Sequence, residues 1–207
     1  MSRAERRGLS LPEMLVVLAL VGLLGLMIAG VLVFTLRATA RGRTQSHMQL
    51  QANAAVRRIE ADLQRSQAAG ISLLVGPPTA LAILPILDIT DTGSLQWAQE
   101  ATVYCHQPQQ RTLVARRWPP GPPGPSLTGY APAKLPTSLL LDLCLQPNGT
   151  DRLLAQDVAD FQVTHPGTGG SLGMPLTLKL KMERQAVSGQ GLERYELQRD
   201  VLLRNSP

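Results

Sequence analysis

The chain has 207 residues, of which 44% are hydrophobic and only 17% charged, with a formal net charge of +5. Aromatic residues make up 3%, which argues against both an aromatic-rich core and a base-stacking surface for nucleic acid. Its two cysteines exclude a Cys-only zinc site and a multi-disulfide miniprotein. The modest positive charge permits anionic lipid or nucleic acid as a partner without requiring either. With 18 Gly and 16 Pro the body is expected to be rich in loops, though no glycine period points to a collagen-like helix.

The apolar excess lies near the start. No charge interrupts the run from Met14 to Leu36, and about 20 such residues span a bilayer as a helix. Arg3, Arg6 and Arg7 precede the run, and Arg37, Arg41 and Arg43 follow it. A secretory signal has a shorter apolar region that ends in a small-x-small cleavage site; here the cleavage-like glycine, Gly8, comes before the run. A plain signal anchor explains the length and the leading positive charge. It does not explain Glu13. An ionisable side chain at the lip of an apolar helix is costly and marks a function with a partner.

The string Arg7-Gly8-Leu9-Ser10-Leu11-Pro12-Glu13, followed by this run, resembles the class III signal of type IV prepilins and type II secretion pseudopilins. The resemblance implies that a prepilin peptidase cuts between Gly8 and Leu9 and that the new N-terminus at Leu9 is methylated. Glu13 becomes the fifth residue of the processed chain and the partner of the N-terminal ammonium group of a neighbouring subunit. Opposite charges attract strongly in a low-dielectric helix bundle, and neither is tolerated there alone. Because the amine exists only after cleavage, processing and assembly are linked. The chain departs from the family pattern in having Leu9 where phenylalanine is usual and Pro12 before the glutamate. Proline fits a first helical turn, where its missing N–H has no intrahelical partner to lose.

Gly22, Gly25 and Gly30 interrupt the apolar helix. They are either ordinary membrane-helix glycines that allow close helix approach or weak points at which the helix stretches on packing into a fibre. Beyond Leu36, the residues Met48, Ala52, Val56, Ile59 and Leu63 recur at helical spacing and form one apolar stripe, with Arg57, Arg58, Glu60, Asp62 and Arg65 largely on the other faces. A single helix is therefore expected from about Pro12 to Ala69, roughly 85 Å long. Gly70 is its expected C-terminal cap and Gly42 a possible bend.

After Gly70 short apolar runs alternate with turn residues. Expected strands are Ala80–Leu87, Ala101–Gln107, Thr112–Trp118, Ser138–Leu145, Val158–Thr164, Leu176–Glu183 and Arg194–Leu203. The clearest is Leu176–Glu183, in which Leu176, Leu178, Leu180 and Met182 alternate with Thr177, Lys179, Lys181 and Glu183. The proline-rich stretch Trp118–Pro136 and the glycine-rich His165–Met174 are expected loops. The order of short motifs, from Arg57-Arg58-Ile59-Glu60 through Val158-Ala159-Asp160-Phe161 to Val201-Leu202-Leu203-Arg204, is similar to the minor-subunit branch called PilW-like or PulJ/GspJ-like. That branch implies a low-copy subunit of a tip or priming complex.

Other features read as structural. Cys105 and Cys144, both on expected strands, are a candidate disulfide because the body is read as exported; two buried thiols are the alternative. Gly169-Gly170-Ser171-Leu172-Gly173 matches the nucleophile-elbow pattern but lacks the strand before it and the helix after it. His47, His106 and His165 have no metal-ligand spacing. Asp88 and Asp91 read as a turn rather than a calcium loop, and Asn148-Gly149-Thr150 as a hairpin turn rather than a glycosylation site. The arginines flanking the run, with Arg57 and Arg58, have no interleaved aromatics and so give no support for direct DNA binding.

The expected fold class is α+β and pilin-like: a long N-terminal helix, with a membrane half and an amphipathic half, packed on a mainly antiparallel β-sheet. Residues 1–8 form the leader, 9–36 the membrane or filament-core helix, 37–70 its amphipathic continuation and 71–207 an exported β-rich domain. The expected function is that of a non-catalytic minor pilin or pseudopilin without cofactor or metal. Its expected partners are prepilin peptidase, other major and minor pilins or pseudopilins, an inner-membrane assembly platform and membrane lipid. The expected location is the bacterial inner membrane, single-pass with the C-terminal domain exported, and then a periplasmic or surface fibre. The sequence does not distinguish a type IV pilus from a DNA-uptake or type II secretion fibre. The alternative is a signal-anchored periplasmic enzyme or binding domain that does not polymerise.

Overall fold

The computed structural model describes residues 11–120, 127–128, 134–146, 151–167, 172–185 and 191–203, with backbone alone at 37, 40, 41, 127 and 128. It is α+β, with an N-terminal apolar helix followed by mainly antiparallel sheets. The chain divides into two compact units, residues 1–44 and 45–207. Helix α1 (Leu11–Gln64) starts in the first and ends in the second.

In the first unit, Leu11–Leu36 is a 26-residue stretch long and apolar enough to cross a membrane, with none of it buried. The helix runs through Gly42 without a break.

The second unit contains the strands. In chain order they are β1 (Ile71–Leu74), β2 (Ala80–Ile83), β3 (Ile86–Ile89), β4 (Leu95–Trp97), β5 (Ala101–Gln107), β6 (Thr112–Trp118), β7 (Leu127–Thr128), β8 (Arg152–Ala155), β9 (Val158–Thr164), β10 (Leu176–Gln185) and β11 (Leu192–Val201), with helix α2 (Thr137–Leu145) between β7 and β8. They form a five-stranded sheet in the order β1-β2-β5-β6-β8, a three-stranded sheet β11-β10-β9 and a small sheet β3-β4-β7. Every pairing is antiparallel.

One helix face serves two of these sheets. Met48, Ala52, Ala55, Val56, Ile59 and Leu63, spaced to fall on one side of α1, share a core with Leu81, Ile83, Tyr104 and Leu113 of the five-stranded sheet. The same core takes Val158, Phe161 and Val163 of β9 and Leu176, Leu178, Leu180 and Met182 of β10. In β10 the alternation places Thr177, Lys179, Lys181 and Glu183 on the more accessible face, where Glu183 meets Arg194 at 3.0 Å and Thr177 meets Asp200 at 2.6 Å across the ladder. Fully burying a side chain such as Ile59 or Leu63 stabilises the fold by about 1.5–3 kcal/mol.

The opposite face of the five-stranded sheet is covered by α2. Ala80, Ala82, Val103, Cys105 and Val114 pack there against Leu140, Leu143 and Cys144. Ser138–Leu145 is thus a helix and not the strand its apolar content predicts. Leu140, Leu143 and Cys144 fall on one helical side, and a leucine-rich segment without β-branched residues prefers helix to strand. Cys144 accordingly lies on a helix, bonded to Cys105 with the two Cα atoms 5.2 Å apart.

Three other boundaries differ from expectation. Helix α1 stops at Gln64, and Gly70 ends a short 3-10 turn (Ala68–Gly70) instead of capping α1. Gly70 is needed for closeness: a Cβ there would lie 2.5 Å from the Trp97 ring and 2.8 Å from the Leu84 carbonyl. The run Ala80–Leu87 splits between β2 and β3, which belong to different sheets, because Pro85 has no N–H to give to a ladder. Strands β1, β4, β7 and β8 are too short to show a period, and β7 falls inside the proline-rich stretch read as loop.

Truncating Ile59 to alanine should destabilise the full chain in detergent by roughly 2–5 kcal/mol in urea unfolding. Leu50→Ala, on a side of the same helix that is 68% exposed, should change stability by no more than about 0.5 kcal/mol. Equal costs would contradict the one-faced packing.

Candidate functional site

Glu13 is the acidic residue in the first turn of α1, where the positive end of the helix dipole favours a carboxylate. Gly8 and Leu9 lie outside the described residues. A Cβ added at Gly22, Gly25 or Gly30 would meet nothing within 4 Å among the described residues. From Met14 to Leu36 the large apolar side chains are exposed on all sides of the helix, the pattern of a helix whose surroundings are lipid or other helices.

In the second unit the polar side chains that α1 carries beside its stripe are tied to the sheets. Tyr104 on β5 donates its hydroxyl proton to Asp62 at 2.6 Å, and Arg58 lies 3.5 Å from the same carboxylate. Burial, then the hydrogen bond and charge of Asp62, push the Tyr104 phenol well above its usual range, with Arg58 pulling the other way. The phenol therefore stays a donor. Arg199 on β11 reaches Glu60 at 2.9 Å, and the Gln156 N–H reaches the Gln51 side chain at 3.4 Å.

A second set of contacts joins the two larger sheets. The Val158 N–H of β9 donates to the Arg111 carbonyl beside β6 at 2.8 Å, while the Glu183 N–H extends the β9–β10 ladder by donating to the Asp157 carbonyl at 2.8 Å. The Arg111 guanidinium closes the seam by donating to the Glu183 carbonyl. Arg111 and Asp157 hold positive φ angles of 53° and 59°, a conformation that costs a non-glycine residue about 1–2 kcal/mol. His106 sits in this seam, 3% exposed, with its Nε2–H directed at the Val158 carbonyl 3.4 Å away. Burial holds the imidazole below its usual range, partly offset by the Val158 carbonyl and by Asp160.

A cavity of about 350 Å³ borders this seam and is lined by Thr79, His106 and Asp160 among others. The three residue types invite comparison with a hydrolytic triad, but the geometry does not link them. The Thr79 hydroxyl donates to the Gly76 carbonyl, His106 is directed at Val158, and Asp160 accepts from Gln162. His47 is exposed on α1, and His165 accepts the Gly167 N–H in a loop, so the three histidines are separated. Among the described residues no three His, Cys, Asp or Glu side chains converge as a metal site. Asp88 accepts its neighbour's N–H, and Thr90 bonds Ser94 across the following turn. The serine of the Gly169–Gly173 motif and the Asn148-Gly149-Thr150 turn lie outside the described residues.

Nothing in the sequence assigns a contact to Tyr104, Asp62, Arg116 or Asp151. Arg116 is 5% exposed; it pairs with Asp151 through two 2.6 Å bonds and donates to the Gln146 carbonyl at the end of α2. Its signal was the strand period, which places residue 116 on the same inward face as Val114. Comparison with known protein families, with curated proteins and with solved structures gives no match to this chain.

A pH dependence follows from His106. The unfolded chain takes up a proton near the ordinary value of 6.5, whereas the folded imidazole, held lower, refuses it. Stability contributed by neutral His106 is thus complete above 6.5 and is lost as pH falls through 6.5 toward the folded value. The slope for one proton is at most about 1.4 kcal/mol per pH unit. Urea unfolding at pH 7.5 and pH 5.5 should show His106→Gln with a shallower loss than the parent; parallel losses would remove His106 from the seam's acid sensitivity.

Proposed function

We propose that this chain is a non-catalytic minor pilin or minor pseudopilin, a subunit of a type IV pilus-like fibre placed in a tip or priming complex. The observation that carries the reading is a single helix with two surfaces. Leu11–Leu36 is apolar and exposed with Glu13 in the first turn, while Met48–Leu63 buries one stripe against antiparallel sheets. An apolar helix of that length asks for lipid or for other helices. A glutamate at the head of such a helix is costly in apolar surroundings and marks a function.

In this reading prepilin peptidase cuts between Gly8 and Leu9, the Leu9 amine is methylated, and the ammonium group of one subunit meets Glu13 of the next. The subunit waits in the inner membrane with its C-terminal domain, residues 71–207, exported, and an assembly platform then draws it into the fibre beside other pilins or pseudopilins. Its own residues do no chemistry; Gly8 and Leu9 are a substrate for the peptidase.

Intact mass and N-terminal sequencing of the protein from its native host test the processing. The expected product begins at Leu9 and carries one methyl group. A product that keeps its leader would make this a membrane-anchored domain and not a fibre subunit. Gly8→Val should abolish the cleaved product on immunoblots by obstructing the peptidase subsite. Glu13→Ala should leave cleavage intact yet deplete the subunit from sheared fibres, and undiminished incorporation would refute the amine–glutamate pairing.

A further inference from the structure

The cavity of about 350 Å³ beside the seam is defined by what its side chains have left over after bonding within the chain. Thr79, 5% exposed, gives its hydroxyl proton to the Gly76 carbonyl at 2.9 Å, which leaves its oxygen with lone pairs only. His106 faces the Val158 carbonyl through Nε2. A carbonyl can only accept, so Nε2 carries the proton of the neutral imidazole and Nδ1 carries a lone pair. No described residue bonds Nδ1. Nor is it sealed in: among the described residues the buried, partnerless side-chain atoms belong to Glu100, Gln107 and Glu193. The lone pair is therefore open to the cavity that the ring lines. Asp160 takes the Gln162 amide on Oδ2 at 2.7 Å and keeps Oδ1 free.

Donors are scarce in this cavity. Among the described residues that line it, Asp160 is the one charged side chain. Lys181 stands opposite Asp160 across the β9–β10 ladder, yet no cation among the described residues forms an ion pair with that carboxylate. Pro77 and Pro108 form walls without an N–H, and Val163 adds apolar surface.

We propose that this cavity is a binding site for a primary ammonium group on an alkyl stem, carried by a lysine side chain of another protein or by a free alkylamine. An ammonium has three N–H groups, one each for the Thr79 oxygen, His106 Nδ1 and Asp160 Oδ1. The stem lies against Pro77, Pro108 and Val163. Asp160 supplies the countercharge in a partly buried setting, where a charge-assisted hydrogen bond is stronger than in open water. A carboxylate or phosphate is refused, since it would meet lone pairs and a like charge. Burial holds His106 below its usual range, so its lone pair persists at neutral pH, where an alkylammonium stays charged. The site goes beyond the fibre-subunit reading and does not rest on it, because every residue involved lies within 45–207.

Long-range proton–nitrogen NMR of the histidine rings tests the site, on the full chain in detergent at pH 7.5. The probes are n-butylammonium and lysine capped as its N-acetyl methylamide. The His106 Nδ1 resonance should move saturably with n-butylammonium and stay in place with tetramethylammonium, which has the charge but no N–H. Asp160→Asn should weaken the binding about tenfold or more. Binding of capped lysine assigns the site to a lysine side chain of a partner; binding of n-butylammonium alone assigns it to a free amine. A resonance unmoved by either probe, or moved equally by tetramethylammonium, would overturn the proposal. So would Asp160→Asn that binds as the parent does. The tetramethylammonium comparison uses the parent protein alone, so the test stands even where Asp160→Asn does not fold.

Discussion

The body of this protein depends on one side of one helix being the floor of two sheets. The five-stranded and three-stranded sheets share no ladder, so strand pairing cannot hold them together. What they share is the stripe from Met48 to Leu63, into which both send buried side chains. Removing that stripe would expose the inner faces of both sheets together. This makes the second half of α1 the element on which the packing of residues 45–207 turns.

Burial alone does not fix how a helix lies on a sheet, because apolar contact has no direction. Direction comes from the polar residues bordering the stripe. Asp62 takes the Tyr104 hydroxyl from the middle of the larger sheet, and Glu60 takes Arg199 from the edge of the smaller one. A buried phenol without an acceptor would cost about 1–3 kcal/mol, so the Tyr104–Asp62 pair rejects a helix rotated or slid from its place, while the part-exposed Arg199–Glu60 pair adds less. Where the sheets meet directly, the seam through Arg111, Asp157, Val158 and Glu183 accepts two left-handed backbone positions in exchange for satisfied main-chain groups.

The other half of α1 obeys a different rule. In Leu11–Leu36 no stripe is selected, and apolar side chains face outward on every side. Such a helix is stable only in surroundings that are themselves apolar. The reading as a fibre subunit draws its support from this contrast within one helix, together with the position of Glu13 and the residues before it. On that reading the same helix serves lipid or neighbouring helices with one half and a private core with the other.

Much of this was legible in the residues. The apolar run, Glu13 at its head and the stripe at helical spacing are local patterns, and α1 follows from them because helix periodicity is written in near neighbours. The alternation in β10 is equally local, and it yields the strand whose inward residues fill the shared core. Helix α2 was only partly legible: Ser138–Leu145 is too uniformly apolar for its period to separate helix from strand, and only its leucine content and lack of β-branched residues lean towards helix. Its state was decided by the shallow sheet face it covers and by Cys105 on a strand that its own sequence neighbours do not reach. Likewise Asp62 reads as one more charge on a solvated helix until β5 brings Tyr104 to it from 42 residues away. The sequence by itself determined the long helix, the principal strands and which of their faces are apolar, since these follow from interactions within a few residues. The tertiary structure alone decided which faces meet, which sulfur finds which and which charges are buried, since those depend on contacts between segments that no local pattern encodes.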